Sequence, residues 1–212
     1  MSNQIQVRKW FIAGLLSLVI VALYGTLMRY KIAFNFPFFK QKFLLHAHSH
    51  FAFSGWITHT LYLGLIVILQ RKIGNISFNK YKILILLNLL VSYGMLVSFT
   101  MQGYELTSII LSTLTIVITI VFTAFFISDS KHLKNHPSRP WAIMGLFMSI
   151  LSALGPFYMA YMIMNKDINF HSYLGSLYYF LHFQYNGWFF FGSMAILSAL
   201  LPADSPLNLR KY

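Results

Sequence analysis

An all-α, polytopic membrane protein with six transmembrane helices is the fold class that this sequence predicts. Three observations carry the prediction. First, the 212 residues are 58% hydrophobic and only 9% charged, with a mean hydropathy of +0.64, whereas a soluble domain is about 25% charged. Second, the apolar residues fall into runs near twenty residues long, the length that crosses a bilayer as a helix. Third, the runs lack the apolar–polar alternation of a membrane barrel, and isolated strands leave backbone groups unsatisfied in lipid.

The spans are expected at 10–28, 43–69, 81–101, 106–128, 140–164 and 173–201, as one transmembrane domain over 1–212. The first follows Arg8, Lys9 and Trp10 and lacks a small-residue cleavage site before a polar domain, so it is expected to be retained. The second and sixth are long enough to tilt. A net charge of +12 raises nucleic acid as a partner. The charges, however, sit in short loops between apolar runs, where they act as topology signals. With both termini cytoplasmic, eleven of the sixteen Lys and Arg lie inside. Those outside are Arg29, Lys31, Lys40, Lys42 and Lys166. The expected location is therefore an integral, bacterial inner (cytoplasmic) membrane. The lipid bilayer is the expected partner, nucleic acid is not, and self-association is open.

Composition also limits the chemistry. The absence of cysteine removes disulfides, thiolate ligation of haem or iron–sulfur clusters and c-type haem attachment. The four acidic residues, Glu105, Asp129, Asp167 and Asp204, lie in loops or near span ends. They supply a carboxylate-bridged metal centre poorly. No phosphate loop, nucleophile elbow or zincin motif is present, and no catalytic residue is assigned.

A seven-residue pattern occurs twice. His50-Phe51-Ala52-Phe53-Ser54-Gly55-Trp56 lies in the second span and His182-Phe183-Gln184-Tyr185-Asn186-Gly187-Trp188 in the sixth. Both read H-F-x-(F/Y)-x-G-W. Four crossings separate them, so the helices are expected to run parallel, as an internal repeat of spans 1–2 and 5–6. An intramembrane histidine is expensive and points to a functional site. Two in matching positions suit a cofactor with two axial imidazoles. Helical phase puts Ser54 one turn below His50, and Asn186 one turn below His182 with Tyr178 one turn above. Gly55 and Gly187 leave room for a macrocycle or a neighbouring helix, and Trp56 and Trp188 offer apolar walls. The rival reading is that each Gly-Trp pair packs helices and each histidine bonds a neighbour.

His46-Ala47-His48-Ser49-His50 adds a second signal. His46 and His50 share a face, while His48 falls on the opposite side with His59. Span two therefore presents histidines to two sides, one of which suits a second haem or copper. His132 and His136 read as a solvated basic loop ending at Pro137, and His171 as interfacial.

Taken together, these motifs resemble the catalytic subunit of the haem–copper oxidase and nitric oxide reductase family, and are similar to NnrS-type haem-containing membrane proteins. His48-Ser49-His50 resembles the family's H-x-H pair, which serves two cofactors. His182-Phe183-Gln184-Tyr185 resembles the same element with Gln184 where a second histidine stands. The resemblance implies haem b, with His50 and His182 as axial ligands and His48, with His59, near a second haem or copper; His46 joins these histidines as a candidate ligand if the metal is non-haem. It implies electron transfer, redox sensing or diatomic-gas handling, with a redox protein or quinol as partner and, if an enzyme, an oxidoreductase. It covers two short stretches, and the oxidase copper-site histidine pair and cross-linked tyrosine segment are absent. The residues leave two alternatives open: a non-haem, histidine-ligated metalloenzyme acting on a lipid or isoprenoid, and a non-catalytic packing or transport protein.

Overall fold

The computed structural model describes residues 2–73, 78–166 and 169–201, and every regular element among them is helical. In order they are α1 (Ser2–Ala33), α2 (Gln41–Phe51), a π-helical segment π1 (Ala52–Thr58), α3 (His59–Ile73), α4 (Phe78–Gln102) and α5 (Leu106–Asp129). A 3₁₀ turn (Ser130–Leu133) leads to α6 (Ser138–Ser152), α7 (Leu154–Met164), α8 (Phe170–His182), a second π-helical segment π2 (Phe183–Phe189) and α9 (Phe190–Leu200).

Among the described residues, five helices are long and apolar enough to cross a membrane: Val7–Ala33, Gln41–Ile73, Asn79–Gln102, Leu106–Leu133 and Ser138–Met162. They mark an integral membrane protein. The sixth expected span is helical over 170–200, so length does not separate it from the others. Its middle, Gln184-Tyr185-Asn186, dilutes its apolar character.

The surface follows the same logic. Leu15, Leu16, Val19 and Leu23 of α1 are exposed, as are Ile109, Ile110, Leu114 and Val117 of α5. In water such stripes would aggregate, whereas in lipid they need no cover. Hydroxyls along the fourth span bond their own helix: Ser112 and Thr113 donate to the Ile109 carbonyl, and Thr123 to that of Thr119. That back-bonding satisfies a hydroxyl without a partner helix.

The chain divides into two compact units. The first comprises Met1–Val67 and Ser77–Ile118, the second Ile68–Ile76 and Thr119–Tyr212. Each contains one copy of the repeated motif.

In the first unit, α1 and α4 pack against α2 and π1. Val21, Ala47, Phe51, Ala52, Met95, Leu96 and Phe99 form the apolar core there. Polar contacts tie α1 to α4, with Tyr24 Oη 3.0 Å from Thr100 Oγ1. In the second unit α6 packs along π2 and α9, and α7 along α8. Close approach is possible because three glycines lack a Cβ. One added at Gly145 would lie 3.0 Å from the Gly192 nitrogen, one at Gly155 2.5 Å from the Ser176 carbonyl oxygen, and one at Gly187 2.7 Å from Met148 Cβ. Small residues at helix crossings are how membrane helices gain packing energy without a hydrophobic drive between them.

Both π segments coincide with the two motif copies. π1 begins two residues after His50, and π2 one residue after His182. A π turn widens the helix by bonding i to i+5 and shifts the hydrogen-bond register. Under 1% of residues adopt it. In lipid any carbonyl the shift leaves without its usual partner needs another. In π1 the Ser54 carbonyl accepts from Asn88 Nδ2 of α4 at 3.0 Å, and the His50 carbonyl accepts from Ser54 Oγ at 2.8 Å. Ser92 Oγ lies 2.9 Å from Ser54 Oγ, and Ser54, Asn88 and Ser92 are all buried. In π2 the polar link is Gln184 Nε2, which donates to Ser152 Oγ of α6 at 2.8 Å.

Asn88→Ala removes the donor to the Ser54 carbonyl. A buried acceptor left unpaired costs about 1–3 kcal/mol. Thermal unfolding in detergent is expected to show a clear loss of stability with unchanged helix content. Asn88→Ala melting with the wild type would show that π1 does not depend on this bond.

Candidate functional site: the histidines of span two and the two motif segments

Span two carries histidines on two sides, and each side has its own surroundings in the first unit. His48 and His59 face α1. His48 Nδ1 lies 3.1 Å from the Val21 carbonyl, and a Cβ on Gly25 would sit 3.4 Å from His48 Cε1. His59 Nε2 lies 3.1 Å from the Trp10 carbonyl, and a Cβ on Gly14 would sit 3.4 Å from His59 Cδ2. The two contacts share one design. Each imidazole rests against a glycine of α1 and donates to the carbonyl one turn before it, which already accepts the glycine N–H within the helix. A carbonyl has two lone pairs and can serve both donors. The pairs lie about three turns apart on both helices. They act as docking bonds, and His59, fully buried, is a helix–helix residue. Its Nδ1 has no hydrogen-bond partner, as expected when Nε2 carries the only ring proton.

His46 and His50 face the α4–α5 turn. The His50 ring stacks on Phe99, with centroids 4.4 Å apart and 17° between planes. Its Nε2 lies 2.7 Å from the Tyr104 hydroxyl. The His46 ring meets Tyr104 edge-on at 4.6 Å, and His46 Nε2 is buried without a hydrogen-bond partner. Gly103, with φ of +71°, turns the chain so that Tyr104 comes back over the helix. A Cβ there would collide with the Phe43 ring, so both conformation and space require glycine.

The second motif copy lies in unit two. His182, Asn186 and Tyr178 are exposed and share one helix face. His182 Nδ1 lies 3.2 Å from Asn186 Nδ2. On the other side Trp188 is fully buried, and Gly187 admits Met148. In the first copy the space over Gly55 is filled by the Phe51 ring of its own helix, whose Cε2 a Cβ would approach to 2.6 Å. Trp56 packs against the apolar core, and Ser54 belongs to the π1 hydrogen-bond network. The motif therefore combines two jobs. Its Trp, and in the second copy its Gly, pack against neighbouring helices, whereas its histidines point to a different side.

The donor set admits a haem in part. An axial imidazole offers one bare nitrogen and fixes its other N–H on an acceptor. His48 meets the second condition through Val21. His182 meets it when the Asn186 amide presents Oδ1 to Nδ1, the two amide orientations having the same shape. His50 has its outer nitrogen engaged by Tyr104 and takes iron only when that hydroxyl moves. Among the described residues, no three of His, Asp or Glu converge as a metal-ligating group. His132 is exposed, and His136 Nδ1 bonds locally to Ser138 Oγ at 2.7 Å.

Tyr104, Phe99 and Asn88 carry no motif and were not singled out by the sequence. Asn88 was the findable one, as a lone amide inside an apolar span. Tyr104 sits in a loop and reaches His50 only through the turn at Gly103.

No known protein family, curated protein or solved structure matches the chain.

Gly187→Ala and Gly175→Ala form a matched pair. The first drives a methyl into Met148, while a Cβ on Gly175 meets nothing within 4 Å. Overpacking of this kind costs about 1–3 kcal/mol. Detergent-resistance or thermal-melt assays are expected to separate the two variants, with Gly175→Ala at or above wild type. Equal melting would show that Gly187 is not a packing position.

Proposed function

We propose that this chain is an integral membrane haem protein of electron transfer or redox sensing, with the motif histidines His50 and His182 as its axial ligands. The observation that carries the reading is the coincidence of three rare features. An intramembrane histidine, the H-F-x-(F/Y)-x-G-W string and a π-helical segment occur together, twice. π turns in α-helices are found often at functional sites, and neither helix needs one merely to cross a bilayer.

The residues support a haem better than a bare ion. An ion held by protein alone calls for three or more converging donors, and His48 and His59 already dock α1. A haem brings four nitrogens of its own and asks for one or two imidazoles. When bound it supplies one-electron chemistry at the iron. The protein's share is orientation and exclusion of water. Phe99 fixes the His50 ring plane, Asn186 holds the His182 ring through Nδ1, and Tyr178 shares the His182 face. With both axial positions filled by imidazole, electron transfer is favoured over activation of a gas. Four acidic residues in the whole chain, none within the motifs, fit transfer of electrons rather than chemistry that consumes protons.

Absorption spectroscopy of the protein purified from haem-replete cells tests this directly. A Soret band with sharp α and β bands on reduction is expected, and His182→Ala is expected to abolish the low-spin spectrum. A colourless protein that contains iron or copper would favour the metalloenzyme alternative. A colourless, metal-free one would leave the motif as a packing element.

A further inference from the structure

We infer that Tyr104 and His46 form a relay that controls access to the outer nitrogen of His50: the Tyr104 hydroxyl occupies that nitrogen when no ligand is bound and passes to His46 Nε2 when one arrives. The inference rests on the haem reading and adds two positioning residues to it.

Three observations carry it. The Tyr104 hydroxyl and His50 Nε2 are 2.7 Å apart, and with the phenol as donor the lone pair used in that bond is the one a metal would use. Hydrogen bond and coordination are therefore mutually exclusive at this atom. Next, His46 Nε2 is buried with no partner. Such an orphan costs about as much as a lost hydrogen bond, and its ring lies edge-on to Tyr104 at 4.6 Å. An unpaired acceptor therefore stands beside the one donor that would need a new partner. Finally, the two neighbours differ in freedom. The His50 ring is stacked on Phe99, which is fully buried. Tyr104 is about half exposed, at 49%, in a short turn between α4 and α5. A small swing of the phenol is the movement that this arrangement permits, and His50 stays in place.

The exchange costs little because one hydrogen bond replaces another. Tyrosine donates or accepts, so it serves either tautomer of His46. If His50 carries its proton on Nε2, loading moves that proton to Nδ1, and the phenol again ends on His46. Without His46 Nε2, the hydrogen bond given up at His50 has no imidazole to replace it, and the phenol competes harder with the incoming ligand.

Haem titration of the haem-free protein in detergent, read by the low-spin absorption bands, tests the relay with four proteins. Tyr104→Phe removes the bond from the haem-free and the loaded form alike and is expected to leave haem affinity near that of the wild type, because the exchange it abolishes has no net cost. His46→Leu removes the replacement bond from the loaded form alone and is expected to weaken haem binding by about 2- to 10-fold, the range of one net hydrogen bond. His46→Gln supplies an amide in place of the imidazole and is expected to restore wild-type affinity, which a purely steric role of His46 would not predict. Melting of the haem-free forms checks that all four are folded alike. Wild type that binds haem while His46→Leu titrates identically to it would overturn the relay and leave the haem reading intact. A wild type that binds no haem would overturn both.

Discussion

Every backbone carbonyl and N–H in a membrane span must find a partner within the protein, because hydrocarbon offers none. Regular α-helix meets that demand automatically. At π1 and π2, where the described chain departs from it over seven residues each, side chains take part. Asn88 reaches from α4 to the Ser54 carbonyl, and Ser54 turns back to the His50 carbonyl. These bonds place α4 beside α2, bury Phe51 and Phe99, and thereby set the plane of His50. The histidine's position is thus a consequence of how the widened turn is satisfied.

Packing follows from the same medium. With lipid as apolar as any side chain, helices hold together by close contact and by interhelical hydrogen bonds. Here both are used at once. Gly14 and Gly25 bring α1 within reach of His59 and His48, and each imidazole then bonds an α1 carbonyl. A polar side chain in a span serves as glue here as much as chemistry. That is why span two holds four histidines with two distinct roles. His48 and His59 hold a helix, while His46 and His50 surround a tyrosine.

Much of the fold was legible in the sequence. Hydropathy located the helices, because crossing a bilayer requires a run of fixed length and composition. The sixth expected span is helical but less apolar than the other five, since Gln184 and Asn186 belong to the motif itself. Helical phase separated His48 and His59 from His46 and His50, because 100° per residue is a property of the backbone alone. The π segments left no signature in composition or periodicity. They arise where the chain absorbs an extra residue within a turn, and only the neighbouring helices decide whether that is stable.

The sequence by itself determined a helical membrane protein, the recurrence of one seven-residue pattern, and the two-sided display of histidines on one helix. Tertiary structure alone decided what each histidine meets. Val21 and Trp10 reach His48 and His59 from residues far earlier in the chain, and Tyr104 reaches His50 through the turn at Gly103. Such partners lie tens of residues away. Their approach depends on where glycines let helices close and where a turn reverses, and neither is encoded in the local pattern around the histidine.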